Sequence, residues 1–481
     1  MTVSTIQLML EDSQAPAGTL DVTAPYDGTL IATVETAGEQ HVDPALEVAY
    51  QLFRDRSGWL PLHRRIEILE RAAEIIAERH EELSVQAARE GGKPLMDSRV
   101  ELTRAIDGVR QCAEVIKVDA GEVIPTGTTP ASRHRLAITR REPIGVVVAV
   151  SAFNHPFNLI VHQVGAAVAA GCPVIVKPAG DTPLSCVSFV EILREAGLPA
   201  PWCQVFIADT NESSERLVTD PRVAFFSFIG SARVGWMLRS KLAPGTRCAL
   251  EHGGVAPVIV APDHDRELAL NSIVKGGFYH AGQVCVSVQR VYVPEDQAAE
   301  FAQELAELAQ DLEVGDPTSG DTEVGPLIRE GELKRVAQWV DEAVRSGARL
   351  ICGGKAVSQS CYAPTVLLNP DDDSKVSQEE VFGPVVCVYG YDRIDGAIDR
   401  ANSLPVAFQA AVFANDIDTA MRVYRRVDAS AVMVNDHTAF RIDGMPFAGL
   451  KQSGLGVGGI GYTIEDMQFE KLMVIQTPQL P

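Results

Sequence analysis

The chain has 481 residues and, at about 100–200 residues per domain, is long enough for roughly two to four domains. Hydrophobic residues make up 46% of it and charged residues 22%, which excludes disorder, collagen and coiled coil as descriptions of the whole chain. The formal net charge is −22 and no dense basic run interrupts it, so we expect neither nucleic acid nor an anionic membrane as a partner.

The first hundred residues are predicted to be helical. One helix is expected over 64–89, ended by the glycines at 91 and 92, and a second carries an apolar stripe from Leu102 to Ile116. Residues 123–142 contain an alternation of polar and apolar residues without a buried run, which is typical of an exposed ribbon that pairs outside its own domain.

From residue 144 onward, apolar strands alternate with helices in two sets. The first set is strand 144–150, helix 158–171, strand 173–177, helix 183–196, strand 223–228 and a helix from 231. The second set is strand 255–261, helix 265–281, strand 288–293, helices 295–311 and 330–346, and strands 384–390, 410–414 and 431–434. Continuous apolar strands separated by helices predict parallel sheets covered on both faces. The last twenty residues are expected to be extended and to pair with a neighbour or another subunit.

Cysteine usage and the lack of a targeting signal predict a cytoplasmic protein. The nine cysteines are odd in number and form no CxxC pair, so neither a metal site nor a disulfide framework is expected. Residues 1–18 contain no basic leader, and polar residues interrupt the most apolar stretch, 144–177, so no signal peptide or membrane span is expected. All cysteines but one are expected to be buried thiols.

Polar residues follow or precede buried strands at several points. Asn154 and His155 come directly after a strand, at the strand end where ligands bind in open α/β sheets, although Asn154 is also compatible with a helix-capping turn. Glu251 lies before two glycines that permit close backbone approach, and a surface position is its alternative. Cys285 lies at a helix–strand junction, where a thiolate can be accessible. Ser231 begins a helix whose free amides suit a phosphate.

Together these segments resemble the NAD(P)-dependent aldehyde dehydrogenase superfamily. The motifs, in family order over residues 20–475, are FNHPFN at 153–158, KPA at 177–179, FIGSARVG at 228–235, EHGG at 251–254, FxxxGQxC at 278–285, GPL at 325–327, EEVFGPV at 379–385 and PFAGLKQSG at 446–454. The resemblance is to the non-acylating type, near phosphonoacetaldehyde and lactaldehyde dehydrogenases. It implies an α/β fold with two doubly wound Rossmann-like domains and a small β oligomerisation extension.

The resemblance also implies domain boundaries and an assembly. Residues 1–122 and 143–250 are expected to form the dinucleotide-binding domain, and 251–448 the catalytic domain. Residues 123–142 and 462–481 are expected to form an oligomerisation ribbon and tail. The expected partners are a small-molecule aldehyde and further copies of the chain, in a homodimer or homotetramer.

By resemblance, Cys285 is the nucleophile, Glu251 the general base and Asn154 the side-chain donor of an oxyanion hole. Such an enzyme oxidises an aldehyde to a carboxylic acid through a cysteine thiohemiacetal and thioester. A CoA-acylating enzyme is the alternative within the family, although Glu251 favours hydrolysis because transfer to CoA needs no activated water. A catalytically inactive structural relative, or a Cys–His hydrolase built from Cys285 with His280 or His252, is the alternative from another class.

The cofactor is expected to be NAD or NADP. The resemblance assigns Lys177 to the adenosine ribose, Ser231 to the pyrophosphate and Glu380, with Phe382 beside it, to the nicotinamide ribose. The other cofactor residues expected are Val150, Ser151, Phe153, Ala179, Gly180, Gly230 and Val234. Relatives often carry Glu at the position of Gly180, where it repels a 2′-phosphate, so we expect both cofactors to be accepted.

Three residues indicate a polar substrate. His155 replaces the Phe of many relatives, Arg441 precedes the PFAGLKQSG motif, and Arg104 lies about 200° around its helix from the apolar stripe. A guanidinium suits a phosphonate or carboxylate, although ordinary surface charge is the alternative for each arginine. We therefore expect a short aldehyde with an anionic or hydroxyl group.

Overall fold

The computed structural model describes residues 5–11 and 14–480. Outside the described residues lie 1–4, 12–13 and 481. The predictions that fall partly on them concern the first domain, the lack of a leader and the tail. Within the described residues, no helix is both long enough and apolar enough to cross a bilayer.

The helices are numbered here in chain order. They are α1 Glu39–Arg54, α2 Leu62–Glu78, α3 His80–Gly91, α4 Leu95–Lys117, α5 Asn158–Ile160, α6 Ala166–Ala170, α7 Pro183–Glu195, α8 Asn211–Thr219, α9 Ala232–Arg239, α10 Arg266–Phe278, α11 Glu295–Gln310, α12 Glu330–Arg345, α13 Lys375–Gln378, α14 Ile394–Asn402, α15 Ile417–Arg426 and α16 Ile460–Asp466. A π-helical turn, Val161–Gly165, joins α5 to α6.

The strands are numbered in the same way. They are β1 Thr5–Ile6, β2 Gly18–Thr23, β3 Leu30–Thr36, β4 Val123–Ile124, β5 Arg135–Pro143, β6 Val146–Val150, β7 Val174–Lys177, β8 Cys203–Val205, β9 Val223–Ile229, β10 Arg247–Glu251, β11 Ala256–Val260, β12 Val288–Pro294, β13 Arg349–Cys352, β14 Thr365–Leu368, β15 Val385–Tyr391, β16 Val406–Ala407, β17 Gln409–Phe413, β18 Ala431–Val434, β19 Leu450–Lys451, β20 Gly454–Leu455 and β21 Gln468–Gln476.

Two mostly parallel sheets form the centre of the molecule. The first has the order β20-β10-β9-β6-β7-β8, parallel apart from β20, and the second has the order β13-β14-β15-β12-β11-β17-β18, parallel apart from β13. Their central strands are buried apolar runs, as in β6 and β11, because helices cover both faces. The predicted fold class is confirmed: the chain has two mostly parallel, Rossmann-like α/β sheets and a smaller third sheet.

The small third sheet has the order β21-β5-β4. Its β21 pairs antiparallel with β5 along nine residues, from Gln468 with Pro143 to Gln476 with Arg135. The ribbon and the tail of the same chain therefore pair with each other. The apolar residues 472–475 of β21 stay between 40% and 55% exposed and point alternately to its two faces, so the described residues of the chain leave both faces of this segment partly uncovered.

Three local predictions were wrong. The first hundred residues are not all helical, because β2 and β3 form an antiparallel hairpin there. The helix predicted over 64–89 is two helices, α2 and α3, which meet at Arg79 with a non-helical ψ of 16°. The last twenty residues are not all extended, because α16 ends only at Asp466. These features depend on packing against neighbouring elements, which local composition does not reveal.

Candidate active site

All of the residues predicted for the site line one cavity of about 780 Å³. They are Arg104, Val150, Ser151, Phe153, Asn154, His155, Lys177, Ala179, Gly180, Gly230, Ser231, Val234, Glu251, Cys285, Glu380, Phe382 and Arg441. The strands β6, β7, β9 and β10 run parallel and end at this cavity, so the residues at their carboxyl ends meet there. The loop before β12 adds Cys285 from the second sheet.

A left-handed turn presents Cys285 to the cavity. His280, Ala281 and Gly282 follow α10 with φ of 48°, 53° and 69°. A Cβ at Gly282 would lie 2.1 Å from the carbonyl oxygen of Gly383, so only glycine fits there. Two non-glycine residues in this conformation are costly, and the surrounding hydrogen bonds must hold them.

Gln283 supplies those hydrogen bonds. Its Nε2 donates to the carbonyls of His280 and Pro326, at 3.3 and 3.1 Å, and its Oε1 accepts from the N–H of Ile328 at 3.0 Å. The side chain is 1% exposed. It therefore ties the turn before Cys285 to the segment around Pro326 and fixes the position of the thiol.

Cys285 is a partly accessible but protonated thiol in this environment. Burial raises its pKa, the nearby carboxylates of Glu380 and Glu251 raise it further, and Arg441 and the residue's own backbone N–H lower it. The junction thus offers the access that the sequence predicts but does not by itself stabilise the thiolate. A nucleophilic role requires a base to remove the proton.

Asn154 is held against the loop that carries Cys285. Its Nδ2 donates to the carbonyl of Gln283 at 2.9 Å, and its side chain is buried. An amide nitrogen carries two hydrogens, so one remains for an oxygen in the cavity. The capping alternative has no support, because α5 begins after Phe157 with no side-chain cap.

Glu251 is the last residue of β10, and its side chain enters the same cavity. Its backbone carbonyl accepts from the N–H of Gly230 at 3.0 Å, which joins two of the predicted motifs. Burial raises the pKa of the carboxyl group, and Arg441 lowers it. A carboxylate whose pKa is raised toward neutral pH is suited to accepting a proton.

The cofactor end of the cavity is built from strand ends and a helix start. The N–H of Ser151 donates to the carbonyl of Lys177 at 3.0 Å, while the Lys177 ammonium donates to the carbonyl of Pro178 at 3.2 Å. Burial lowers the pKa of Lys177. Ser231 is the N-cap of α9, whose first backbone amides have no partners within the helix and suit a phosphate.

Glu380 leaves one carboxylate oxygen without a partner. Its Oε1 is fully enclosed and makes no hydrogen bond, and burial raises the pKa of the group to about 8. A Cβ at Gly253 would lie 1.8 Å from this oxygen, so the EHGG glycine admits the carboxylate. Phe382, at φ 47°, packs edge-on to Phe153 at 5.8 Å.

These residues fit a nicotinamide dinucleotide. An enclosed acceptor suits ribose hydroxyls, a lysine suits a second ribose, and a helix N-terminus suits a pyrophosphate. Among the residues that the structure describes, no group of three or more His, Cys, Asp or Glu is arranged to hold a metal ion.

The three predicted substrate residues lie in the same cavity but differ in their partners. The Arg441 guanidinium lies 3.6 Å from the ring centroid of Phe447, and its Nη1 is enclosed without a hydrogen bond. Arg104 forms a bidentate ion pair with Asp443, at 3.0 and 2.7 Å. His155 lies 3.2 Å from the Tyr279 hydroxyl, and burial lowers its pKa well below the usual value, so its ring is neutral.

Sequence reasoning missed the polar residues that support the site. Asp443, Gln283 and Tyr279 received no role, and neither did Asn158 and His162, which do interrupt the most apolar stretch of the chain. Polar residues inside an otherwise buried segment were the one available signal. Their partners could not be identified, because Asn158 and His162 lie 285 and 281 residues before Asp443 in the sequence.

Comparison with known proteins identifies the family of the chain. The model of the aldehyde dehydrogenase family matches residues 11–472. A 3-sulfolactaldehyde dehydrogenase from Priestia aryabhattai is 38% identical over 462 residues, which cover 96% of each chain.

Two solved structures share the whole fold. Aldehyde dehydrogenase 21 from Physcomitrella patens, in complex with the reaction product succinate, matches with a TM-score of 0.95 at 31% identity over 100% of both chains. A glyceraldehyde-3-phosphate dehydrogenase from Methanocaldococcus jannaschii, complexed with NADP, matches with a TM-score of 0.91 at 33% identity over 97% of this chain and 100% of the other. The chain therefore belongs to the aldehyde dehydrogenase family, and it is an enzyme that oxidises an aldehyde with NAD or NADP, as its motifs predict.

Proposed function

We propose that the enzyme oxidises a short aldehyde that carries an anionic or hydroxyl group. The observation that carries this proposal is the Arg441 guanidinium, whose enclosed Nη1 has no partner and which lies within electrostatic range of Cys285. A half-buried guanidinium that has no ion pair among the described residues favours an anionic ligand, since a charge removed from water is costly unless it is paired. The similarity to a sulfolactaldehyde dehydrogenase and to a succinate-bound enzyme supports the same substrate class.

In the proposed mechanism Cys285 attacks the aldehyde carbon. Because the thiol is protonated at rest, Glu251 accepts its proton as the carbon–sulfur bond forms. The second Nδ2 hydrogen of Asn154 and a backbone N–H stabilise the resulting oxyanion. Lys177, Ser231 and Glu380 would hold NAD or NADP, which would supply the acceptor for the hydride that leaves this carbon.

The thioester on Cys285 is then hydrolysed. Glu251 has by then released the thiol proton to solvent, so it can remove a proton from a water molecule as the water oxygen attacks the thioester carbon. The carbon–sulfur bond breaks, the acid leaves, and the proton passes from Glu251 to the Cys285 sulfur, which restores the thiol. The CoA-acylating alternative predicts an acyl-CoA product instead of the free acid. Chromatography of the products formed with and without added CoA distinguishes the two reactions.

A panel of aldehydes tests the substrate proposal. We expect kcat/KM for phosphonoacetaldehyde, succinic semialdehyde and lactaldehyde to exceed that for hexanal and benzaldehyde in the wild-type enzyme. Arg441→Ala should lower the values for the two anionic aldehydes relative to lactaldehyde, because it removes the unpaired guanidinium. If hexanal or benzaldehyde is preferred, and the variant leaves every ratio unchanged, the proposal is wrong.

We further propose that both NAD and NADP are used. Gly180 leaves the neighbourhood of Lys177 without the carboxylate that would repel a 2′-phosphate. The adjacent Asp181 forms an ion pair with Arg329, and this pairing weakens the repulsion between Asp181 and a 2′-phosphate. Initial rates at saturating aldehyde with each cofactor test this directly.

We also propose a cytoplasmic homodimer or homotetramer. The exposed apolar residues at 472–475 lie on β21, which is the edge strand of its sheet and has free backbone groups along one side. The nine cysteines are all free, which suits a reducing compartment. Light scattering after gel filtration measures the assembly, and charged substitutions at Leu472 and Val474 should dissociate it.

A further inference from the structure

Asp443 is a buried carboxylate that collects four hydrogen bonds. Its Oδ1 accepts from Arg104 Nη2 at 2.7 Å, from Asn158 Nδ2 at 2.9 Å and from His162 Nε2 at 2.7 Å, and its Oδ2 accepts from Arg104 Nε at 3.0 Å. The side chain is 1% exposed. These donors hold the pKa of Asp443 far below its usual range, so it is ionised throughout the neutral pH range.

The cluster around Asp443 is electrically neutral as a whole. Arg104 faces the carboxylate through two parallel hydrogen bonds, which is the strongest geometry for this pair. His162 donates from Nε2, and burial lowers its pKa, so it adds no charge. The charge of Arg104 is therefore already compensated inside the protein.

Other ionic groups on or near this wall of the cavity are also paired. Lys275 and Asp97 line the cavity and lie 3.1 Å apart, and the buried Lys93, which does not line it, is paired with Glu101. His155 is neutral because burial lowers its pKa.

Arg441 differs from these groups. Across the residues that the structure describes, it forms no ion pair, and its nearest charged neighbours act on it only at longer range. The substrate wall therefore offers one guanidinium that has no ion pair, and the carboxylate that acts on it most strongly is Glu251, the residue proposed to act as the base.

We propose that Asp443 determines the substrate charge by neutralising Arg104, so that the enzyme prefers aldehydes with a monoanionic sulfonate or carboxylate over those with a dianionic phosphate. This inference rests on the proposed function and refines it. A second negative charge would find no free cation on this wall, because the charge of Arg104 is already neutralised by Asp443. Asp443 thus acts through Arg104 as a specificity-determining residue without itself touching the substrate.

Three 2-hydroxypropanals that differ mainly in charge test the inference. Lactaldehyde is neutral, 3-sulfolactaldehyde is a monoanion, and glyceraldehyde 3-phosphate is close to a dianion at pH 8, since its second phosphate pKa is about 6. Each kcat/KM is divided by the value for lactaldehyde in the same variant, which removes effects common to all three substrates. In the wild-type enzyme we expect 3-sulfolactaldehyde to exceed glyceraldehyde 3-phosphate by tenfold or more.

Variants of the ion pair then separate charge from structure. Asp443→Asn frees Arg104 and should shift the sulfonate-to-phosphate ratio at least tenfold toward the phosphate. The double variant Arg104→Gln/Asp443→Asn removes both charges and should restore the wild-type ratio. Arg104→Gln alone leaves Asp443 uncompensated and should lower both anionic substrates relative to lactaldehyde, which keeps the test available if Asp443→Asn does not fold.

The outcomes distinguish this inference from the proposed function. A wild-type preference for glyceraldehyde 3-phosphate, or an unchanged ratio in a folded Asp443→Asn enzyme, overturns the role of Asp443. A purely structural role would lower all three substrates equally and leave both ratios unchanged. A preference for hexanal or benzaldehyde over every anionic aldehyde overturns the proposed function itself.

Discussion

The two ends of the cavity are held in different ways. Around Cys285, Gln283 makes three side-chain hydrogen bonds, and the Asn154 amide is bound to the carbonyl of Gln283. At the adenosine end, among the described residues, the Lys177 ammonium donates one hydrogen bond, to the carbonyl of its neighbour Pro178, and Gly180 is exposed. The chemical end is rigid before any ligand binds, whereas the adenosine end depends on the ligand to complete it.

This difference explains where the sequence departs from the family pattern. Cys285, Glu251 and Asn154 match the pattern and lie among buried partners, so a substitution there would disturb several contacts at once. A Cβ at position 180 would have one neighbouring atom within 4 Å among the described residues, on the Leu20 side chain at 3.7 Å. Substitutions at the adenosine end are therefore expected to change the preference for NAD or NADP with little effect on the fold.

The largest effect is expected at the nucleophile. Cys285→Ser should lower steady-state turnover by about 10⁴-fold or more, because a serine hydroxyl is a far weaker nucleophile at neutral pH. Formation of reduced nicotinamide, followed by absorbance, measures the loss. Cys248→Ser is the matched control, since Cys248 is also partly accessible but lies outside the cavity. A Cys285→Ser enzyme that kept a large share of the rate would exclude this residue as the nucleophile.

The next effect concerns the base. Glu251→Gln should slow hydrolysis of the thioester more than the preceding steps, and should give one burst of reduced cofactor followed by almost no steady-state rate. In the wild-type enzyme, burial raises the pKa of Glu251, so turnover should fall as the pH decreases through that raised value. Stopped-flow absorbance over a pH series measures both. An unchanged steady state in the variant would remove Glu251 from the mechanism.

The sequence predicts some strands of the fold well and others poorly, and the difference depends on how deeply each strand is buried. The buried strands β6, β7, β9 and β11 were predictable, because a strand covered on both faces must be apolar throughout. The hairpin of β2 and β3 was not, since β2 is a mostly exposed edge strand and the central strand β3 buries only alternate residues, so neither has a continuous apolar run.

For the site, the motifs identified the residues that face the ligands but not those that support them. Arg104 and Asp443 are 339 residues apart, and nothing local to either of them predicts their ion pair. The charge state of Cys285 was equally unpredictable, because it depends on burial and on two carboxylates from distant segments.

A smaller effect is expected at the oxyanion donor. Asn154→Ala should lower kcat about 10²–10³-fold, as the loss of one donor does in other enzymes, with a lesser change in KM. Asn154→Asp has nearly the same shape but offers acceptors only, so it should be at least as damaging. Steady-state kinetics with a fixed aldehyde separate kcat from KM. A loss under tenfold in both variants would assign Asn154 a merely structural role in the turn.

The smallest effect is expected at Gly180, in the adenosine end of the cavity. Gly180→Glu should lower kcat/KM for NADP by about tenfold or more, equivalent to at least about 1.4 kcal/mol, and leave the value for NAD nearly unchanged. The space around the position accepts the side chain, and its carboxylate would lie near Lys177, where it would repel a 2′-phosphate. Gly180→Gln is the matched control, because it adds the same bulk without the charge and should affect both cofactors alike. If Gly180→Glu lowers kcat/KM for NAD and NADP equally, the missing carboxylate does not explain the choice of cofactor, and other residues of the adenosine end determine it.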